Sequence, residues 1–363
     1  MGGSQSGDAI RRLLSATLLA MLVACGAVAG LATSLNVGSV SAAPGEKVSG
    51  YLEVPSGVDE GTRIPITVAH GSASGPVLAL IAGTHGYEYP PILALQRVRR
   101  QLDPQRLSGS LILVHVANLP SFLGRTIYYS PIDGKNLNRA YPGNPQGTIS
   151  ERIADVLSTH VIGIADYVVD MHGGDGNEAL RPYLYTTVTG RRELDERSRA
   201  LGLAFGLDTI VVQTDWSDEP SSHVYTEWAA LARGKPAMTT ETGSLGSTAE
   251  ELVLLAERGA WNLMRHLEML EGEPETAPAV VWLESGQVVR SPATGMFQPS
   301  VEPGYFVEQG GRLGELVDLF GDPVQVIEAP FAGVVNYVVA TPPVHEGEPL
   351  AMVSKVRASE GQQ

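Results

Sequence analysis

The sequence has a single cysteine, Cys25, so no disulfide can form within the chain, whichever side of a membrane it occupies. It is also short of positive charge: 25 lysines and arginines stand against 40 aspartates and glutamates, a formal net charge of −15. That deficit leaves little to draw nucleic acid or an anionic membrane face. The one basic group, Arg97, Arg99 and Arg100, reads as a solvated helix face. Low-complexity tracts and repeats of fixed period are absent too. What is present is 363 residues with 43% apolar content, enough for one large globular domain and a small one.

The one long uncharged apolar run lies near the start. Arg11 and Arg12 precede residues 13–32, the layout of a secretory signal, so residues 1–32 are set apart from the fold. The run is also long enough for a membrane-spanning anchor. Leu22-Val23-Ala24-Cys25 looks like a bacterial lipobox and would tether the chain through Cys25. The residues after Cys25 stay apolar, which fits cleavage after Ala29 or Ala32 instead. Both readings place the protein outside the cytoplasm, in the periplasm or cell envelope, lipid-anchored in one case and released in the other.

The mature chain alternates strand and helix patterns. Residues 77–82 are a continuous apolar run, short enough for a strand buried on both faces. Residues 92–102 carry apolar positions at helical spacing, and 111–116 is a further apolar strand. Strands are also expected at 47–54, 64–69, 166–171, 209–213 and 237–240, with helices at 149–162, 227–233 and 249–270. Short connections and this order predict an α/β domain over residues 36–270, a mixed, largely parallel sheet flanked by helices. Residues 271–279, with three glutamates and two prolines, read as a linker. From 280 to 356 helical patterns vanish and short strands alternate with glycine and proline turns, predicting a small all-β domain.

Chemistry gathers where strands end. Residue 82 is followed by Gly83-Thr84-His85-Gly86-Tyr87-Glu88, so His85 and Glu88 stand at the carboxyl edge of a sheet, where open α/β folds keep their sites. Glycines flanking His85 allow a sharp turn and room for a substrate. An isolated H-x-x-E is more often a surface loop, so the reading needs a third ligand. His172 supplies it, ending an apolar strand just as His85 follows one. Two histidines and one glutamate suit one zinc per chain, with a fourth position open for water. Asp170 lies two residues before His172, on the same strand face, and either orients that imidazole or caps a nearby loop. Asn138-Arg139 presents planar donors of the kind that bind a carboxylate, and Arg125 is a second cation able to polarise a carbonyl; each arginine alone is more often a surface ion-pair partner. Glu241, after another short apolar strand, is placed to accept a proton from water and pass it to a leaving amine.

Together Gly83 to Glu88, Asn136-Leu137-Asn138-Arg139, Asp170-Met171-His172 and Glu241-Thr242-Gly243 resemble, in order and context, the succinylglutamate desuccinylase/aspartoacylase family, relatives of the zinc carboxypeptidases. The resemblance spans roughly residues 36–353. It implies a zinc-carboxypeptidase-like fold, a zinc site of His85, Glu88 and His172, and Glu241 as general base and acid. It further implies that Asn138 and Arg139 hold a substrate carboxylate and that Arg125 assists the carbonyl oxygen, although the spacing from Arg125 to Arg139 is longer than in aspartoacylase. Residues 130–134 and 173–178 look more like the bacterial branch that includes ectoine-pathway deacetylases.

The C-terminal strands resemble a biotinyl/lipoyl-type barrel-sandwich, but residues 319–323 hold no lysine to carry a prosthetic group. A cap or homo-oligomer element is expected rather than a swinging arm. The expected activity is hydrolysis of the amide of an N-acyl amino acid or related small molecule. The alternatives are a metallocarboxypeptidase acting on peptides or cell-wall fragments, and a zinc-containing binding module that has lost catalysis.

Overall fold

The computed structural model describes residues 33–357. The leader and Cys25 expected from sequence lie outside them. Among the described residues no helix is long and apolar enough to cross a membrane.

Nine strands form the central sheet: β1 Glu46–Val54, β2 Thr62–His70, β3 Ala73–Ala82, β4 Ser108–Val114, β5 Tyr167–His172, β6 Tyr183–Thr187, β7 Thr209–Gln213, β8 Ala237–Glu241 and β9 Val281–Glu284. Their spatial order is β9-β7-β6-β8-β5-β3-β4-β2-β1. The middle of the sheet, β8-β5-β3-β4, is parallel throughout. Antiparallel joints set off a β7-β6 arm on one side and a β2-β1 hairpin on the other.

Among the described residues six α-helices flank the sheet: α1 Tyr89–Gln101, α2 Leu119–Gly124, α3 Ile149–Leu157, α4 Arg192–Phe205, α5 Thr226–Ala232 and α6 Glu250–His266. The expected helix at 149–162 changes to a π turn over Ser158–Ile162. Along β3 the side chains alternate between two cores. Leu78 and Leu80 join the apolar positions of α1, α4 and α6, while Ala79 and Ile81 join those of α3 and α5. A strand covered on both faces has no polar side to show, which is why residues 77–82 read as an unbroken apolar run.

Two smaller antiparallel sheets follow, packed around Phe297, Leu316, Val335 and Val353. They share chain with the main body in both directions. β9 continues the central sheet, pairing Thr209 with Val281. Conversely Glu178–Leu180, from the loop after β5, pairs antiparallel with the C-terminal strand Gly333–Val339.

Candidate metal centre

β3, β5 and β8 run parallel, so their carboxyl ends open onto one edge of the sheet. His85 follows β3 through Gly83, whose φ of +73° makes the turn; a Cβ there would lie 2.8 Å from Val116 Cα. Gly86 does a different job from the one expected: a Cβ would collide with the Thr126 and Ser121 carbonyl oxygens, so the glycine permits backbone packing rather than making room for substrate. Glu88 is the N-cap of α1, and Pro90 and Pro91 fall in the first turn, where a missing N–H costs little. The positive end of that helix favours a carboxylate at this position. His172 is the last residue of β5.

The three side chains converge, and all are buried. Their ligand atoms lie within 4.8 Å of one another. His85 Nδ1 is 2.6 Å from Glu88 Oε1, and His172 Nδ1 is 3.0 Å from Glu88 Oε2. Both imidazoles use their other nitrogen elsewhere. His85 Nε2 donates to Asn136 Oδ1 at 3.1 Å, and His172 Nε2 donates to Asp170 Oδ2 at 2.8 Å. Thr84 Oγ1 in turn donates to Asp170 Oδ1 at 3.4 Å. With Nε2 held from behind, Nδ1 is in each ring the nitrogen left to face a cation at the same point once the proton it shares with Glu88 is given up, the arrangement that outer hydrogen bonds impose on metal-binding histidines. Two imidazole nitrogens and a carboxylate form a donor set of zinc type.

Electrostatics fit the same occupant. Burial works against ionisation of Glu88, yet the facing His172 and His85 hold its pKa down at about 2. Burial likewise works against charge on both histidines. Glu88 nevertheless raises His85, and Asp170 with Glu88 raises His172 well above the ordinary range. Glu241, half-buried, is pushed well above the usual carboxylate range by burial; His172 opposes the shift and Glu88, Glu178 and Asp170 add to it. Burial and the Glu88 charge bring Asp175 to about 6, and burial brings Glu178 to about 7. A divalent cation among the three ligands offsets such a ring of carboxylates.

Of the remaining expected site residues, Glu241 ends β8 directly beside His172, its register partner on β5. Asn138 is buried, but its Oδ1 accepts from Thr226 N at 2.9 Å and its Nδ2 lies 3.3 Å from His172 Nε2. The amide oxygen therefore ties the start of α5, and that bond fixes the Nδ2 donors on the His172 side of the site. Arg139 is exposed, with its guanidinium 4.5 Å above the Tyr225 ring and Nη1 donating to Asn138 O at 2.6 Å. Arg125 caps α2 in a left-handed conformation and is exposed, apart from the His85–Glu88–His172 cluster in the hydrogen bonds and ion pairs of the described residues.

Sequence reasoning missed Asn136 and Tyr128. Asn136 sits in the same N-L-N-R motif and was discoverable by asking what receives the second nitrogen of His85. Tyr128 lies edge-on to His85, ring centroids 5.9 Å apart at 89°, and nothing in the sequence marks it.

Residues 74–267 match the family model described as succinylglutamate desuccinylase/aspartoacylase catalytic domain. The chain is 30% identical over 323 residues to N-alpha-acetyl-L-2,4-diaminobutyric acid deacetylase from Halomonas elongata, covering 86% of this chain and 92% of that one. Among solved structures it is similar to a succinylglutamate desuccinylase/aspartoacylase from Rhodobacter sphaeroides, with a TM-score of 0.77 and 27% identity over 86% of this chain and 96% of that one. The product-bound ectoine utilization protein EutE (DoeB) from Ruegeria pomeroyi also gives a TM-score of 0.77, with 28% identity over 85% of this chain and 95% of that one.

Proposed function

Because the chain belongs to the succinylglutamate desuccinylase/aspartoacylase family, we propose that it is an exported, zinc-dependent deacylase that cleaves the amide of an N-acyl amino acid. The observation that carries the reading is the convergence of His85 Nδ1, His172 Nδ1 and the Glu88 carboxylate on one buried point. These three side chains would hold one zinc, which when bound supplies Lewis acidity at the scissile carbonyl.

The chain's own residues do the rest. Asp170 and Asn136 fix the two imidazoles. Glu241 takes a proton from the attacking water and delivers it to the leaving nitrogen, so that a C–O bond forms as the C–N bond breaks. Arg139, exposed beside the cluster and oriented by Tyr225, is the cation for a substrate carboxylate. Arg125 serves the carbonyl oxygen if its exposed side chain turns inward.

The named relatives act on, or are called after, acylated amino acids, which favours a deacylase over a carboxypeptidase. Placement outside the cytoplasm rests on Arg11, Arg12 and the apolar run that follows. The deciding experiment is turnover of the purified protein on N-acetyl and N-succinyl amino acids against dipeptides, with chelator and with zinc restored. Chelator-sensitive release of free amino acid from the acyl substrates supports the reading. Turnover confined to dipeptides, or unaffected by metal removal, overturns it.

A further inference from the structure

Tyr128 is held in a way the reaction alone does not explain. Its backbone is left-handed, with φ of +56°, a conformation that costs free energy for a bulky residue and persists where surroundings enforce it. Its N–H donates to Asp175 Oδ2 at 2.8 Å, and its hydroxyl donates to Asn177 Oδ1 at 2.7 Å. Between these two ties the ring stands edge-on to the His85 imidazole.

The same short hairpin carries the other support of His85. Tyr129 bridges Asn136, and Ser130 N donates to Lys135 O at 2.9 Å, so the Tyr128 ring and the Asn136 carbonyl reach His85 from one piece of chain. The anchor at Asn177 is fixed from the far side. Asn177 O accepts from Ala340 N at 2.9 Å, just past the strand Gly333–Val339, and the next three residues pair with that strand. The C-terminal sheet thus ends on the residue that grips the Tyr128 hydroxyl.

We propose that Tyr128 is a positioning residue for His85, held by Asn177 where the loop after β5 joins the C-terminal sheet. Its hydroxyl is held by Asn177 and by the neighbouring buried Glu178 carboxyl, so it acts through the ring. Without the tie the ring tilts, and the imidazole no longer holds Nδ1 against Glu88. The inference rests on the reading of the cluster as a zinc site.

The test measures zinc affinity by chelator competition for wild type, Tyr128→Phe, Asn177→Ala and the double variant. The His85 ring signal is followed by NMR in the metal-free proteins. Outer groups that orient a ligand are worth roughly 10–100-fold in metal affinity. Each single variant should therefore weaken zinc about tenfold, with the double variant close to Tyr128→Phe, which already lacks the hydroxyl that Asn177 holds. Tyr128→Leu, which deletes the ring, should weaken it further. The His85 signal should be single in wild type and broadened or doubled in the variants. If wild type takes up no zinc while the His85 signal still changes in both single variants, the metal reading falls and the tether stands. Unchanged zinc affinity with an unchanged His85 signal, or losses that simply add in the double variant, overturns the proposal.

Discussion

Glu241 and His172 are register partners on adjacent parallel strands, β8 and β5, so their side chains leave the sheet at the same edge and on the same face. This places a carboxylate beside the candidate metal ligands, where His85, Glu88 and His172 already converge without it. Glu241→Gln keeps the shape of the side chain but cannot accept a proton. General acid–base catalysis contributes about 10²–10⁴-fold, so kcat should fall at least roughly a hundredfold while zinc content and KM change little. Metal analysis beside steady-state kinetics checks this. A variant that loses its zinc makes Glu241 a ligand, and one with near wild-type kcat makes another residue the base.

The metal itself gives a graded prediction. Wild type should carry about one zinc per chain, and His172→Ala should lose it, because two ligands and water hold zinc poorly. Asp170→Asn leaves all three ligands in place but weakens the acceptor behind His172 Nε2. Its zinc affinity should fall by roughly 10–100-fold rather than vanish. Dialysis followed by metal analysis separates these outcomes, and full zinc retention by His172→Ala would sink the ligand assignment.

The two candidate histidine ligands are legible because each is announced by a strand that runs out: apolar residues 77–82 end before Gly83, and the 166–171 run ends on His172. Glu88 followed from its spacing to His85. What the sequence hid was partnership across the chain. Asn138 and Arg139 look like a pair of planar donors, but nothing local shows that Thr226 N, 88 residues later, holds the Asn138 oxygen and so fixes where its Nδ2 points. β6 and α4 went unread, since Tyr183–Thr187 is short and α4 buries only a narrow stripe, including Leu194, Leu201 and Phe205, among many charges. Val281–Glu284 looked like the opening of the C-terminal strands, yet its partner is β7, about seventy residues upstream. Long-range pairing leaves no local pattern.

Glu227 supplies a pH prediction away from the ligands. It is buried on α5, accepting from Thr187 Oγ1 and Thr239 Oγ1 at 2.7 Å each. Burial pushes its pKa up to about 7, with the two threonine hydrogen bonds opposing and Asp170 adding to the rise. The folded state thus binds this proton more tightly than the unfolded chain, so the contribution is full below about pH 4.5 and is lost as pH rises through 7. At 1.36 kcal/mol per unit the loss is on the order of 3 kcal/mol. Glu227→Gln stays neutral, so its stability relative to wild type should rise between pH 5 and pH 8. Urea melts at both values measure it, and a difference independent of pH refutes it.

The last prediction concerns the seam between α4 and α6. Gly259 lies buried inside α6, a position where glycine is normally a weakness, and replacing it by alanine in a helix is worth about 1 kcal/mol. Here a Cβ would run into the ring of Phe205, one of the largest fully buried side chains of the protein. Phe205 has no open space to retreat into, because its ring packs in the core shared by α1, α4 and α6. Overpacking of a tight core costs about 1–3 kcal/mol, which outweighs the gain in helix propensity. Gly259→Ala should therefore be destabilised by about 1 kcal/mol, with the catalytic edge of the sheet unaffected. The double variant Gly259→Ala/Phe205→Leu separates the causes: if the clash is responsible, the alanine should cost less, or even stabilise, once the ring is gone. Urea midpoints of the four proteins settle it, and a Gly259→Ala variant more stable than wild type shows that the seam yields and that helix propensity wins.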